Sequence, residues 1–285
     1  MKKFYLLMAA AAAFTLNAQE VKEGVINVGD YDNPSTVMEG SYFDQAPMTF
    51  YVAHTGAQII YTADDLSDFS GKSNININKI SYKFLNEGAY DDIDRSVKLY
   101  LMETDATAFE VIDGVKQYIN WDENSPVVSF DETYSLIDSY GDEGEIVFDL
   151  SNAPFAINPG KGLLVVTVFD GDDCTGSSFD LMFYSSGIRS RAMSYTDNYD
   201  SFLTYKAGND FPKASATYSG AGTNIDMPVT KIEYTYTEQT STGIEDLNMN
   251  TVTDGAYYNM QGQRMNGNNL PAGIYIHHGK KVVIK

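Results

Sequence analysis

Apolar and polar residues alternate along much of this chain with a period of two, which is the period of a half-buried β-strand. The segments 97–102, 145–150 and 230–236 each place three apolar side chains on one face. The segment 163–169 is apolar at nearly every position, which is typical of a central strand covered on both faces. We predict further strands at 48–54, 57–61, 76–85, 126–132, 178–185, 191–195 and 214–218.

Helical periodicity is almost absent from the sequence. We predict one helical turn, at 63–66, because Thr62 and Asp65 have the spacing of a reciprocal N-terminal cap. Many short strands separated by Gly, Asn, Asp and Pro favour an all-β fold, and we predict an antiparallel, jelly-roll-like β-sandwich. The 21 Tyr and 15 Phe agree with this prediction, since aromatic side chains suit a pleated, half-buried surface.

The two ends of the chain differ in composition from its middle. A positive start, an apolar run at 4–14 and a polar turn after Ala18 have the layout of a cleaved signal peptide, with a buried helix as the alternative. No later apolar stretch reaches the length of a membrane span. The chain therefore divides into a signal peptide (1–18), a β-sandwich domain (19–237), a polar linker (238–243) and a small all-β C-terminal domain (244–285), here called the tail.

Charge narrows the choice of partners. The chain has a net charge of −20, of which Lys2 and Lys3 contribute +2 and the tail +1, so residues 19–243 carry −23. A surface this acidic repels phosphate backbones and anionic membranes, which excludes nucleic acid as a partner. Cation binding is a secondary possibility.

Residues suited to catalysis are scarce. Outside the tail the chain has a single histidine, His54, and its single cysteine, Cys174, forms no internal disulfide. A Ser-His-Asp triad and a histidine-rich zinc site are therefore not expected. Among 39 Asp and Glu, a pair at glycosidase spacing arises by chance and carries no information. We predict no catalytic residues, no enzyme activity and no obligate cofactor.

The acidic turn after the segment 163–169 is a candidate Ca²⁺ site. Asp170, Asp172 and Asp173 cluster there, and carboxylate oxygens are the ligands that Ca²⁺ prefers. The spacing departs from an EF-hand, because Cys174 stands where the fifth position would supply a ligand. A solvated acidic turn is the alternative.

A group of aromatic residues is a candidate ligand-binding surface. Tyr195, Tyr199, Phe202 and Tyr205 lie in a stretch rich in Asp and Asn. Rings beside amides and carboxylates can stack on, and hydrogen-bond to, a sugar or a protein. The alternative is that these rings pack a loop onto the sandwich.

The tail carries two spaced motifs and a basic end. The first is Tyr-Asn-x-x-Gly, from Tyr258 to Gly262, and the second is Pro-x-Gly-x-Tyr, with Pro271, Gly273 and Tyr275. A final strand follows that contains Lys281 and Lys285. We expect Gly273 to adopt a backbone conformation that other residues avoid.

These features resemble the type A C-terminal sorting domain of type IX secretion cargo in Gram-negative bacteria, although the stretch before Tyr257 is shorter than usual. The resemblance implies recognition by the outer-membrane translocon, passage through the periplasm, and a final location outside the cell or on the outer-membrane surface. A hairpin that completes the sandwich is the alternative.

The middle of the chain is similar to jelly-roll adhesin-type modules of the same bacteria. The segments that carry this likeness are 57–66, 77–82, 97–105, 162–166 and 183–190. It implies a fold and no particular ligand. We therefore expect a non-enzymatic binding or adhesion module with a glycan or protein ligand. The alternatives are a structural or accessory surface protein without a dedicated ligand and, less favoured, a carbohydrate-active enzyme.

Overall fold

A computed structural model describes most of the chain. The described residues are 20–38, 45–49, 52–86, 93–122, 124, 127–134, 143–171, 181–197, 201–204, 219–238, 256–260, 262–267, 270–278 and 280–285. The chain divides into two compact units, Met1–Glu238 and Gln239–Lys285. The predicted signal peptide, the strand predicted at 214–218 and linker residues 239–243 lie outside the described residues.

The described part of the first unit consists of antiparallel strands and two short 3-10 turns, at Ser67–Phe69 and Phe202–Thr204. This confirms the predicted all-β sandwich class. The strands are β1 (Val21–Val28), β2 (His54–Tyr61), β3 (Lys72–Asn86), β4 (Ile93–Thr104), β5 (Val111–Ile112), β6 (Val115–Lys116), β7 (Val128–Tyr134), β8 (Glu143–Asp149), β9 (Phe155–Ile157), β10 (Gly162–Gly171), β11 (Leu181–Phe183), β12 (Ser185–Asp197), β13 (Ser219–Pro228) and β14 (Thr230–Glu238).

Two large sheets organise these strands. In the first sheet the order is β1-β14-β3-β11, and β8 and β9 also pair with β3. In the second sheet the order is β13-β12-β2-β10-β4-β7. The short strands β5 and β6 form a separate hairpin. None of the described residues forms a helix with the length and apolar character needed to cross a membrane.

The main core combines residues of both sheets. It contains Ile26 of β1, Ile80 of β3 and Phe148 of β8 from the first sheet, together with Leu99 of β4 and Val165 of β10 from the second. Each of these side chains is buried, and full burial of a large apolar side chain contributes about 1.5–3 kcal/mol. The alternation seen in the sequence is thus the alternation between this core and the outer faces.

A second apolar cluster forms around the other positions of the second sheet. It contains Leu164 and Val166 of β10, packed with Phe109, Tyr118 and Trp121 from the segment that follows β4. Consequently β10 is covered on both faces, as its unbroken apolar run predicts.

Some strands differ from the prediction. Residues 48–49 and 52–53 are not strand, and β2 begins only at His54. β1 was not predicted. It lies at a sheet edge, where the apolar residues Val21 and Val25 are exposed to solvent, so its sequence does not alternate regularly between apolar and polar residues. β13 was also not predicted, since its sequence Ser-Gly-Ala-Gly-Thr-Asn has low strand propensity and its pairing with β12 compensates.

The second unit contains a four-stranded antiparallel sheet within its described residues. Its strands are β15 (Tyr257–Asn259), β16 (Arg264–Met265), β17 (Gly273–His277) and β18 (Lys280–Ile284), in the order β16-β15-β17-β18. Of the described side chains, only Tyr275 is buried, at 5% exposure. Tyr257 stacks on His277 with ring centroids 4.0 Å apart and meets Tyr275 edge-on.

Candidate functional site

At one corner of the sandwich, the chain passes twice between the two sheets. β11 of the first sheet continues through Tyr184 into β12 of the second, and β13 of the second sheet continues through Val229 into β14 of the first. The two crossings lie side by side, because the Val229 amide donates to the Tyr184 carbonyl at 2.8 Å. The Tyr184 amide in turn donates to the Lys83 carbonyl at 3.1 Å.

A cleft of about 410 Å³ opens at this corner. Its walls are the segment that follows β1, the start of β12 and the end of β13. Its apolar lining residues are Pro34, which is half-buried, and Val229, which is buried, and the rest of the lining is mostly polar. The hydroxyl groups in the lining belong to Ser35, Thr36, Ser185 and Ser186. We call this the corner cleft.

An ion pair stands in the corner cleft. Asp226 Oδ1 lies 2.9 Å from Arg189 Nε, and Ser185 Oγ donates to Asp226 Oδ2 at 2.7 Å. The Asp226 side chain is only 9% exposed, whereas the Arg189 side chain is 62% exposed. The buried carboxylate of Asp226 thus pairs with Nε of Arg189, whose guanidinium group reaches solvent. Asp30, a second carboxylate of the lining, accepts from the Asn33 amide at 3.1 Å.

An irregularity in β12 places these side chains. The pairing of β12 with β13 shifts register between Ser185 and Arg189 and again before Ala192. Gly187 has a φ of 75° within this bulge, and its amide donates to Ser185 Oγ at 2.9 Å. A bulge bends a strand and redirects its side chains, so the start of β12 turns its polar groups toward the cleft.

The segment that forms the first wall is anchored by Tyr31. Its hydroxyl donates to the Glu145 carboxylate, and Lys83 and Lys231 lie over its ring, at 5.0 and 4.9 Å from the centroid. Partial burial of Glu145 tends to raise the pKa of its carboxyl group, because burial disfavours the charged form. Hydrogen bonds from Tyr31, Ser81 and Lys231 outweigh it and hold the pKa of Glu145 below its ordinary value. The chain leaving β1 is therefore tied to the first sheet beside the cleft.

Of the residues predicted as a Ca²⁺ site, Asp170 is described, and it lies outside the corner-cleft lining. Asp170 and His54 are the last residue pair between β10 and β2. Asp170 Oδ1 lies 3.0 Å from His54 Nδ1, and Asp170 Oδ2 accepts a hydrogen bond from Ser201 Oγ at 3.0 Å. Asp172 and Asp173 lie outside the described residues. Within the described ranges, no group of three or more His, Cys, Asp or Glu could hold a metal ion. Calcium binding at this turn stays a prediction.

This arrangement of Ser, His and Asp is not a hydrolytic triad. In a triad, the histidine lies between the acid and the nucleophile and accepts the proton of the hydroxyl. Here the carboxylate of Asp170 lies between His54 and Ser201 and accepts from the hydroxyl itself. The contacts fasten the turn that begins at Ser201 to the ends of β2 and β10.

Two of the four predicted ligand-binding rings are part of the interior. Tyr195 and Phe202 are fully buried in the second apolar cluster. Phe202 stacks on Trp121 with centroids 4.8 Å apart and on Tyr195 at 5.9 Å. The expectation that these two rings contact a ligand is therefore wrong, because packing of the polar-looking stretch hides them. Tyr199 and Tyr205 lie outside the described residues.

The tail motifs have a local geometric basis. In Tyr-Asn-x-x-Gly, the Gly262 amide donates to the Asn259 carbonyl at 2.9 Å, and the Gln263 amide donates to Asn259 Oδ1 at 2.9 Å. Gly262 has a φ of 78°, in the left-handed region that favours glycine. This turn joins β15 to β16.

In Pro-x-Gly-x-Tyr, the Tyr275 hydroxyl donates to the Pro271 carbonyl at 2.8 Å. The expectation for Gly273 is wrong, because its φ is not in the left-handed region. A Cβ placed there would lie 3.5 Å from the Tyr275 ring, which is ordinary contact. Lys281 and Lys285 are exposed at and beyond the edge strand β18.

Comparisons with known proteins add little to this description. No protein-family model matches the chain, and no curated protein matches it. A chain from the solved "Structure of infectious bursal disease virus Gt strain" aligns over 84% of this chain and 42% of the viral chain, at 10% identity. This chain therefore spans less than half of the viral chain. The TM-score is 0.22, so the likeness carries no argument about fold or function.

Proposed function

We propose that this protein is a non-enzymatic binding or adhesion module that type IX secretion delivers to the cell surface or to the medium. The observation that supports the binding role is the corner cleft, an open cavity of about 410 Å³ lined mostly by polar residues. Its volume lies in the range of small-ligand sites. The proposed export rests on the signal-peptide pattern and on the resemblance of the tail.

The groups in the cleft favour binding over catalysis. Ser185 donates a hydrogen bond to Asp226, and the described residues that line the cleft include no histidine to act as a general base. The two carboxylates of the lining, Asp30 and Asp226, make a glycosidase the second candidate. However, a glycosidase needs one carboxyl group that donates a proton, and both oxygens of Asp226 accept bonds from Arg189 and Ser185.

The binding role is tested with the full-length protein on arrays of glycans and of bacterial and host surface proteins. We expect saturable binding to at least one ligand without chemical change to it. Release of reducing sugar from a bound glycan would favour the enzyme instead. Absence of binding on both arrays would favour the structural surface protein.

The export route is tested by fractionating the native host. We expect the wild-type protein outside the cell or on the outer membrane, and a variant that ends at Glu238 in the periplasm. Surface delivery of the shortened chain would contradict sorting by the tail.

A further inference from the structure

We infer that the corner cleft is a saccharide-binding site for neutral, hydroxyl-rich sugar units, with the Asp226–Arg189 pair as its main polar contact. This inference rests on the proposed binding function and names the ligand class and the site. The aromatic stretch that was a candidate ligand-binding surface in the sequence buries two of its rings, and none of its described residues lines the cleft.

The cleft offers hydrogen-bonding groups of both kinds. A sugar hydroxyl donates one hydrogen bond and accepts others, so its partner surface must contain acceptors and donors close together. The carboxylates of Asp30 and Asp226 accept, the guanidinium of Arg189 donates, and the four lining hydroxyls do both. Pro34, which is half-buried, adds an apolar surface on which the C–H groups of a sugar ring can pack.

The charge of the cleft and its surroundings disfavours an anionic ligand. The two carboxylates and one guanidinium of the lining sum to −1, and the surrounding segment 19–243 carries −23. An anionic sugar would enter against this field, whereas the same field attracts a cationic ligand and, among the described lining residues, only the exposed Arg189 opposes it. A neutral saccharide meets neither obstacle.

The polar groups are already in place before a ligand arrives. Asp226 is held by Ser185 and Arg189 at 2.7 and 2.9 Å, and the β12 bulge fixes the backbone beneath them. A site whose groups are held in advance loses less conformational freedom on binding. The 410 Å³ volume also fits a short segment of a glycan chain better than an extended protein epitope.

The experiment measures binding by calorimetry with the full-length protein and three variants of the cleft. The probes are neutral gluco-, manno- and galacto-configured tetrasaccharides and, as the anionic comparison, a galacturonic acid tetrasaccharide. Arg189→Ala and Asp226→Asn each remove one side of the ion pair. Ser35→Trp places a bulky ring at an exposed lining position and leaves the ion pair intact.

We expect at least one neutral tetrasaccharide to bind. Arg189→Ala and Asp226→Asn should each weaken its binding by about tenfold to a hundredfold, as loss of a hydrogen bond to a charged group does. Ser35→Trp should weaken it at least tenfold, because the ring occupies space that the sugar needs. The matched control is Asp105→Asn, which removes an exposed ion pair with Lys161 outside the cleft lining and should bind normally. Melting curves of all variants show whether a loss of binding comes from unfolding. If Asp226→Asn unfolds, Ser35→Trp still tests whether the sugar binds in the cleft, because it leaves the Asp226–Arg189 ion pair intact.

The outcomes separate the site from the function. Binding of a neutral sugar that all three cleft variants leave unchanged would overturn the site and leave a binding module with a different surface. Preference for the galacturonic acid probe, or binding only to proteins on the array, would overturn the ligand class. If no sugar and no protein binds, the proposed function fails together with the inference.

Discussion

The hydrogen bonds between Thr62 and Asp65 could be predicted from their spacing in the sequence, whereas the more distant partner of Asp65 could not. The sequence predicts a reciprocal cap, and the structure has it: the Thr62 amide donates to Asp65 Oδ2 at 2.7 Å, and the Asp65 amide donates to Thr62 Oγ1 at 3.3 Å. The residues after the cap form a turn and then the 3-10 turn Ser67–Phe69. Arg191, which pairs with Asp65, lies 126 residues away, so no local pattern indicates it.

We expect Asp65→Asn to lower the free energy of unfolding by about 2–3 kcal/mol at neutral pH. Both partners are mostly buried, with the Asp65 side chain 15% and the Arg191 side chain 16% exposed. Burial opposes the charge on Asp65, but hydrogen bonds from Arg191 and Thr62 outweigh it and hold its pKa below the ordinary value. The ionised carboxylate thus stabilises the fold above its unfolded-state pKa, and this stability is lost as the pH falls through the folded-state pKa.

Urea unfolding of the wild type and Asp65→Asn at neutral pH and at about pH 3 measures this difference. It should shrink at the lower pH, because the unfolded wild-type chain then takes up a proton at this carboxylate more readily than the folded protein does. Asp105→Asn is the control, since Asp105 is 78% exposed in its pair with Lys161 and should lose less than about 1 kcal/mol. Equal losses in both variants, or a loss that is independent of pH, would contradict the argument.

At the scale of elements, most strands of the core were predictable, with β1 and β13 as exceptions, and the segments that cover the outer face of the second sheet were not. The apolar run of β10 already predicts burial on both faces. It does not identify the covering segments, which come from after β4 and from the 3-10 turn Phe202–Thr204. Phe202 stands in a polar stretch, so its sequence context favours the surface, but long-range packing overrides that preference.

The position of Phe202 depends on the missing side chain of Gly56 in β2. A Cβ at Gly56 would lie 2.2 Å from the Phe202 ring, and the ring is fully buried. We therefore expect Gly56→Ala to destabilise the protein by about 1–3 kcal/mol, as overpacking of a core does. Fluorescence of Trp121, the single tryptophan, should change as well, because its ring stacks on Phe202.

A double-mutant cycle separates this contact from other effects of adding a methyl group. Phe202→Ala leaves a cavity and should cost about 3–5 kcal/mol by itself. On that background, Gly56→Ala should cost much less than in the wild type, because the ring it would strike is absent. If the two losses simply add, the two residues are not coupled and the packing argument is wrong.

At the scale of the whole molecule, the sequence predicts the fold class and misses the corner cleft. Alternation and turn residues are local, and a sandwich follows from them. The cleft joins residues near positions 30–36, 185–189 and 226–229, which come together only because two strands cross between the sheets at one corner. A bulge in β12 then turns the polar side chains at its start toward the cleft. Neither the crossing nor the bulge has a signature in the sequence.

The last prediction concerns which glycine of the tail motifs matters for export. Gly262 adopts a φ of 78°, whereas Gly273 does not adopt a left-handed conformation and has room for a Cβ. Gly262→Val should therefore strain the turn between β15 and β16, since β-branched residues are genuine outliers at positive φ. The described tail buries one side chain, Tyr275, so its sheet has little stability with which to absorb strain.

Fractionation of the native host should find Gly262→Val in the periplasm and Gly273→Ala at the wild-type location, with Tyr275→Phe reporting separately on the bond to Pro271. The melting transition of the first unit should be the same in Gly262→Val and the wild type, because the substitution lies in the other compact unit. Retention of Gly273→Ala in the periplasm alongside normal export of Gly262→Val would show that the translocon reads the motif residues themselves. Export would then not depend on the folded turn, and the geometric account of the signal would be wrong.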